Sequence, residues 1–229
     1  MATGAPDWQG LRWKTETVLR PTLTFPSGKV LFVDSFESPT LKWGTSAISG
    51  GTASLTTSTV FADTNALKLS VAAQANSSIV VTKLTGLPET KNMGVEVWFN
   101  VPSTTDGVFR VSLLYFDGAK SHHAIVQWID DGEKWQYSNT AGLFDDITNG
   151  DQDFDRAANS WQHMKLTAEF NNDEYLALKV NEKTFNLEGI SMFSGANVNK
   201  PSVNMQIRFR TTTPEANDLF VDSVVLTEE

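Results

Sequence analysis

The chain lacks several features that would assign it to a common functional class. It has no cysteine, which excludes disulfide bridges and thiolate metal sites. Basic residues are in the minority, with 18 lysines and arginines against 27 aspartates and glutamates and a formal net charge of −9, so the surface repels nucleic acid. No apolar run approaches the roughly 20 residues of a membrane-spanning helix, and no basic and apolar leader opens the chain. We therefore expect a soluble protein with no membrane insertion, no signal peptide and no nucleic-acid partner.

Signatures of catalysis are also missing. The sequence contains no Gly-x-Ser-x-Gly elbow, no His-Glu-x-x-His zinc motif and no phosphate-binding loop. Retaining glycosidases hold two carboxyl groups about 5–5.5 Å apart, which a strand can supply from alternate positions. The strand-like segments offer only single acids, such as Glu96, Glu169 and Glu174. The absence of a carboxylate pair predicts a protein that is not an enzyme.

What the chain does contain is a succession of short apolar segments with the period of two that marks half-buried β-strands. Residues 29–37 form the first and residues 218–227 the last. Along 95–101, Val95, Val97, Phe99 and Val101 share one face, predicted as core, while Glu96, Trp98 and Asn100 share the other, predicted as solvent-facing. The same alternation places four further sets on inner faces: Phe109, Val111, Leu113 and Tyr115; Gln162, Met164, Leu166, Ala168 and Phe170; Leu176, Leu178 and Val180; Val203, Met205, Ile207 and Phe209.

Turn residues separate these segments. Asp117-Gly118, Asp131-Gly132 and Asn171-Asn172-Asp173 tolerate left-handed backbone and predict hairpins. No window has helical apolar spacing. The sequence thus predicts an all-β fold, an antiparallel two-sheet β-sandwich, in a single domain over residues 29–229.

Residues 1–28 differ from the rest, because glycine and proline interrupt any period while the segment stays apolar. Disordered tails seldom carry aromatic residues. We predict an extended N-terminal arm that buries its apolar side chains either against its own sandwich or against a neighbouring subunit. The candidate assembly residues are Trp8, Trp13, Leu19 and Phe25.

An aromatic and histidine group surrounds one predicted hairpin. Exposed flat rings stack on sugars, so Trp135, Tyr137, His122 and His123 are candidate glycan-binding residues. Trp128 shares a face with Ala124 and Val126 and is predicted to pack in the core.

Two further groups carry charge. Asp151, Asp153 and Asp155 have spacing that suits calcium, although no bidentate glutamate or flanking helix completes the usual loop, and a solvated acidic loop is the alternative. Arg208 and Arg210 share the polar face of one strand. An ion pair, with Glu96 as candidate partner, is one interpretation, and a clamp for an anionic ligand is the other.

The order of several motifs resembles the concanavalin A-like, laminin-G-like jelly-roll superfamily over about residues 30–229. These motifs are Val33-Asp34-Ser35-Phe36-Glu37, Leu41-Lys42-Trp43, Ala66-Leu67-Lys68-Leu69, Gly94-Val95-Glu96-Val97-Trp98-Phe99, Trp161-Gln162-His163-Met164-Lys165-Leu166, Leu178-Lys179-Val180-Asn181 and Leu219-Phe220-Val221-Asp222-Ser223-Val224. The resemblance implies a jelly roll of the kind found in lectins, carbohydrate-binding modules, glycan-cleaving enzymes and packing modules. The Glu-x-Asp-x-x-Glu motif of its β-glucanase members is absent.

The opening Gly4-Ala5-Pro6-Asp7-Trp8, which leads directly into the jelly roll, resembles tailed-phage virion proteins with this fold. That resemblance implies a non-enzymatic decoration or capsid- or tail-associated protein in the virion, assembled in the host cytoplasm. Its arm would bind other virion subunits or further copies of the chain. The alternative is a lectin-like carbohydrate-binding module for surface glycans, with calcium as a candidate cofactor.

Overall fold

The computed structural model describes residues 28–102, 106–151 and 160–229, with the backbone alone at 148–151. These residues form β-strands joined by turns, with no helix among them. The strands are β1 Lys29–Asp34, β2 Gly44–Ile48, β3 Thr52–Thr56, β4 Ala66–Val71, β5 Ser78–Thr85, β6 Asn92–Asn100, β7 Val108–Phe116, β8 Lys120–Ile129, β9 Lys134–Ser138, β10 Phe144–Asp151, β11 Gln162–Glu169, β12 Glu174–Val180, β13 Lys183–Asn186, β14 Phe193–Ala196, β15 Ser202–Arg210 and β16 Asn217–Glu228. The predicted all-β class is confirmed.

The first sheet has the order β13-β12-β11-β6-β16-β4-β3, and β1 also pairs with β16. All of its pairs are antiparallel. The pairing of β1 with β16 joins the first and last predicted strands. A register shift between Asp222 and Val224 leaves Ser223 at a bulge with φ +52°.

The second sheet has the order β10-β9-β8-β7-β15-β5-β2, and β14 also pairs with β8. Its pairs are antiparallel too. Chain neighbours β7, β8, β9 and β10 form a meander, while β15 and β5 come from distant parts of the chain. The centre of this sheet is therefore built by long-range pairing.

The core lies between the two sheets and follows the predicted alternation. Inner-face residues of β6, β7, β11 and β15 are buried, and Trp128 is 1% exposed. The Tyr175 hydroxyl ties the sheets together: it donates to the Ser138 carbonyl at 2.8 Å and accepts from the Ile125 N–H at 3.0 Å. Burial of each large side chain contributes roughly 1.5–3 kcal/mol.

Two predicted hairpins have the expected backbone. Gly132, between β8 and β9, has φ +81°, and Asp173, between β11 and β12, has φ +57°. Left-handed backbone is cheap for glycine and tolerable for aspartate, which explains both residue choices. The proposed boundary at residue 28 stays a prediction, because residues 1–27 lie outside the described residues.

One prediction about solvent exposure is wrong. Glu96, Trp98 and Asn100 lie on the outer face of β6, as the alternation requires, but they are buried, with 1%, 7% and 1% exposure. Phe61, in the loop between β3 and β4, covers Trp98 with stacked rings 6.3 Å apart. Alternation assigns a face to a residue, but a loop from elsewhere in the chain decides whether that face meets water.

Candidate functional site

Arg208 and Arg210 lie on the outer face of β15, as the alternation of that strand predicted. Their suggested partner was wrong, because Glu96 belongs to β6 in the other sheet. The residue directly opposite Arg208 is Arg110 on β7. The register therefore brings cations together instead of pairing one with an acid.

We name this surface the arginine face and define it by the outer-face residues Arg110, Arg208, Arg210, Gln127 and Gln136. Each is half-buried except Gln127, which is 5% exposed. Each alternates with core residues along its strand, so it points away from the sandwich interior. The strand pairs β15–β7, β7–β8 and β8–β9 place Arg208, Arg110, Gln127 and Gln136 in one continuous row.

The arginines of this face have no carboxylate partner among the side chains of residues 28–102, 106–147 and 160–229. Burial, followed by the charges of Arg208 and Arg210, lowers the pKa of Arg110 to about 10. Burial and Arg210 likewise lower the pKa of Arg208. Both guanidinium groups remain charged at neutral pH, so three like charges repel one another in a partly desolvated environment.

Neutral partners hold the arginines in place. Gln127 Oε1 accepts hydrogen bonds from Arg110 Nε at 3.2 Å and Nη2 at 2.7 Å. The Arg110 guanidinium carbon lies 4.4 Å from the centre of the Phe144 ring, a cation–π contact. Arg208 Nη2 lies 3.5 Å from Ser78 Oγ, and Arg208 Nε is buried with no hydrogen-bond partner among the described residues. These contacts fix the cations without neutralising them.

Arg110, Gln127 and Gln136 were not among the residues predicted from the sequence. The signal was present: Arg110 lies between Phe109 and Val111, two core residues, and each glutamine lies between inner-face residues in the same way. Which polar residues become neighbours depends on register, which a single strand does not reveal.

The candidate glycan residues do not form one surface. Trp135 is fully buried in the core, and a ring in that position has no face for a sugar. Tyr137 is half-buried with its ring 5.8 Å from that of Tyr175. His122 is 5% exposed and points to the inner side, while His123 lies on the outer face with its ring 5.0 Å from that of Phe193.

His122 has two acidic neighbours. Its Nδ1 contacts the Asp173 carboxylate, and its Nε2 lies 3.5 Å from Asp117 Oδ2. Backbone N–H groups of Lys120 and Ala119 lower the pKa of Asp117 to about 2. This group joins the β7–β8 turn to the β11–β12 turn, so His122 contributes to the packing of the two sheets.

Of the three calcium candidates, the structure describes the backbone of Asp151. Asp151 ends β10, whereas Asp153 and Asp155 lie outside the described residues, as do the arm candidates Trp8, Trp13, Leu19 and Phe25. Within the described ranges, no three histidine or acidic side chains are grouped so that they could hold a metal ion. That part of the chain gives calcium no support.

The outer face of the first sheet contrasts with the arginine face, because Glu96 there lies between cations of opposite charge. Glu96 Oε1 lies 3.3 Å from Lys165 Nζ, and Glu96 Oε2 lies 3.3 Å from His163 Nε2. Lys165 Nζ is also 2.6 Å from Glu229 Oε1. Asp222, fully buried, accepts hydrogen bonds at Oδ2 from the N–H groups of Phe61 at 2.9 Å and Ala62 at 3.0 Å.

No known protein family matches this sequence, and no curated protein sequence is similar enough to match it. Solved structures do share its fold. The endo-β-1,4-glucuronan lyase of the fungus Trichoderma reesei is 12% identical, with a TM-score of 0.60 over 88% of this chain and 96% of that chain. The carbohydrate esterase of the Shiga toxin-encoding bacteriophage phi24B is 16% identical, with a TM-score of 0.54 over 88% and 100%. An alginate lyase from Chlorella virus is 9% identical, with a TM-score of 0.52 over 82% and 93%.

These likenesses correct the prediction that the chain is not an enzyme. That prediction rested on the missing carboxylate pair, but the structures that share the fold include two lyases and an esterase. The fold therefore supports catalysis, and a missing glycosidase pair does not exclude it. None of the described residues forms a helix able to cross a membrane. At these identities the likeness establishes the architecture alone, a two-sheet jelly-roll β-sandwich.

Proposed function

We propose that the arginine face binds an acidic carbohydrate polymer, one that carries uronate carboxylates or sulfate esters. The observation that supports this most directly is the set of three half-buried arginines without a carboxylate partner in the described part of the chain. A guanidinium group presents a planar fork of donors that matches the oxygens of a carboxylate or a sulfate. A bound anion would relieve the mutual repulsion of these cations.

The overall charge disfavours non-specific binding of such a ligand. The chain has a formal net charge of −9, so most of its surface repels a polyanion. The cations of the arginine face offer such a polymer a locally attractive surface. Polar side chains around them, among them Gln206 and Asn204 on the same face of β15, can bind sugar hydroxyls.

The comparisons support a carbohydrate as the class of ligand. Two of the structures that share the fold are named as lyases of glucuronan and of alginate. Since fold does not dictate function, the proposal depends on the arginines and takes only the class of ligand from these likenesses.

Calorimetric titration of the full chain tests the proposal. The probes are polyglucuronate, dextran sulfate and, as the uncharged match, dextran. We expect binding to at least one charged polymer. Arg110→Gln or Arg208→Gln should weaken the affinity for that polymer about tenfold or more, because each removes charge-assisted hydrogen bonds. Lys179→Gln removes the same charge from the first sheet and is expected to change affinity less than about twofold.

Equal losses from all three substitutions would indicate unspecific attraction and contradict the proposal, as would the absence of binding to both charged polymers. The same samples are assayed for shortening of the polymer chains. Cleavage that disappears in the Arg110→Gln variant would identify the arginine face as an active site as well as a binding surface.

We also propose that residues 1–28 anchor the sandwich to other virion subunits or to further copies of the chain. The support is the apolar and aromatic composition of a segment without a strand period. Light scattering after size exclusion compares the full chain with a version that lacks residues 1–28. Identical monomers in both samples would contradict this anchoring role.

A further inference from the structure

A row of four side chains crosses the second sheet from its edge to its centre. Asp146 on β10 lies opposite Gln136 on β9, Gln136 opposite Gln127 on β8, and Gln127 opposite Arg110 on β7. Residues directly opposite on one face have Cβ atoms about 4.5–5.5 Å apart, so consecutive members can form hydrogen bonds.

The hydrogen bonds of this row run in one direction. Arg110 donates to Gln127 Oε1, Gln127 Nε2 donates to Gln136 Oε1 at 2.7 Å, and Gln136 Nε2 donates to Asp146 Oδ1 at 2.7 Å. A guanidinium group only donates and an ionised carboxylate only accepts. The two ends of the row therefore determine the orientation of both amides, which would otherwise be interchangeable.

Asp146 is suited to be the accepting end. Hydrogen bonds from Gln136 and Lys134 lower its pKa, so it is ionised at neutral pH. Lys134 Nζ donates to Asp146 Oδ2 at 2.8 Å, which leaves Oδ1 for Gln136.

The orientation of the two glutamine amides decides which donors and acceptors face a ligand. Both lone pairs of Gln127 Oε1 are occupied by Arg110, and Gln136 Oε1 accepts from Gln127. Each amide keeps one N–H that the row does not use, and Arg110 keeps its Nη1 group. Apart from one lone pair of Gln136 Oε1, the row thus offers donors, and it matches ligand groups that only accept, such as carboxylate and sulfate.

We infer that Asp146 is a positioning residue that makes the arginine face selective for anionic over neutral sugars, by orienting Gln136 and Gln127 as donors behind Arg110. This inference rests on the proposed function. It gives an acidic residue a favourable role in the binding of an acidic polymer, the opposite of what charge alone would produce.

The Asp146→Asn substitution separates the two explanations. It removes one negative charge, so charge alone predicts tighter binding of polyglucuronate and dextran sulfate. An asparagine can donate as well as accept, which lets both glutamines rotate and turns carbonyl oxygens toward the ligand. We therefore expect about tenfold weaker binding of the charged polymer, the equivalent of about 1.4 kcal/mol, together with a smaller preference over dextran.

Asp145→Asn is the matched control. Asp145 directly precedes Asp146 on β10 and is exposed. It lies opposite Tyr137, outside the row, and its Oδ2 accepts a hydrogen bond from Asn139 Nδ2 at 2.9 Å. It makes the same charge change and is expected to leave binding unchanged or slightly tighter. Asp146→Glu keeps the carboxylate and is expected to recover most of the affinity, and the side-chain amide NMR signals of both glutamines should shift only in Asp146→Asn.

Binding in Asp146→Asn that equals or exceeds that of Asp145→Asn would overturn the inference. If Arg110→Gln nevertheless abolishes binding, the proposed function survives and only the role of Asp146 is lost. If Arg110→Gln also leaves affinity unchanged, both are wrong. Asp146 is exposed, so we expect the variant to fold, and thermal unfolding of each sample verifies this.

Discussion

The outer faces of the two sheets differ in whether their charged side chains lie next to a partner of opposite charge. On the first sheet, Glu96 is 1% exposed and lies within 3.3 Å of both Lys165 and His163. On the second, Arg110 and Arg208 stand side by side without a carboxylate among their described neighbours. The Glu96 carboxylate on the first sheet is balanced by cations within the fold, whereas the described residues place no counter-charge beside these two arginines.

The difference leads to a prediction about where substitutions change stability and where they change binding. A buried charge is tolerated only with a partner, because removal from water costs several kcal/mol per ion. Uncompensated like charges on a half-buried face lower stability somewhat, and such cost is typical of binding surfaces. Substitutions on the first sheet should therefore change folding, and those on the arginine face should change binding.

The largest effect is expected for Glu96→Gln. It removes the carboxylate next to Lys165 and His163 and should lower the free energy of unfolding by about 3 kcal/mol, since the cations remain in place without this counter-charge. Urea unfolding measures the change, with Glu215→Gln as an exposed control expected to stay within about 0.5 kcal/mol. A loss no larger than that of the control, or a loss of polymer binding without a loss of stability, would break the comparison.

Asp222 should make the stability of the first sheet depend on pH. Burial raises its pKa from 3.8 to about 6, against the opposing effect of the Ala62 and Phe61 N–H groups. The folded state holds the proton more tightly than the unfolded state, so this contribution is present below pH about 4 and is lost as pH rises through about 6. The loss amounts to about 2 to 3 kcal/mol, and the Asp222→Asn variant should lack it.

Denaturant unfolding of wild type and Asp222→Asn at acidic and at neutral pH measures this difference. The contributions of other titrating groups cancel between the two proteins at each pH. Parallel stability curves for the two would show that Asp222 ionises in the folded state as easily as in the unfolded chain.

The smallest change in stability is expected for Arg208→Gln, and it has the opposite sign. Two changes should together raise the free energy of unfolding by up to about 1 kcal/mol: relief of the repulsion from Arg110 and Arg210, and removal of a buried Nε that has no hydrogen-bond partner in the described part of the chain. Polymer binding should weaken in the same variant. Differential scanning calorimetry with titration, using Lys179→Gln for comparison, measures both, and a stability loss with unchanged binding would reverse the assignment of the two faces.

The sequence predicted the inner-face positions of the strands better than it predicted which side chains become neighbours across strands. Alternation identified the core positions of β6, β7, β11 and β15, because side-chain direction along a strand has a local period of two. It also placed Arg208 and Arg210 together. It paired them with Glu96, which lies in the other sheet, and it left Arg110 unnoticed between two core residues.

The arginine face could not be derived from any one segment. Its residues and Asp146 come from five strands, β10, β9, β8, β7 and β15. Strand β15 pairs with β7 across some 90 residues of chain. Register over such distances is determined by the fit of two whole sheets, not by a local pattern.

The amino-acid sequence by itself determined the all-β class, the inner face of each major strand and the turns at Asp131-Gly132 and Asn171–Asp173, since all three follow from the preferences of adjacent residues. The tertiary structure decided which outer face is covered and which polar side chains meet. Those outcomes depend on strand pairing and on a loop that packs over Trp98, and each joins residues that are far apart in the chain.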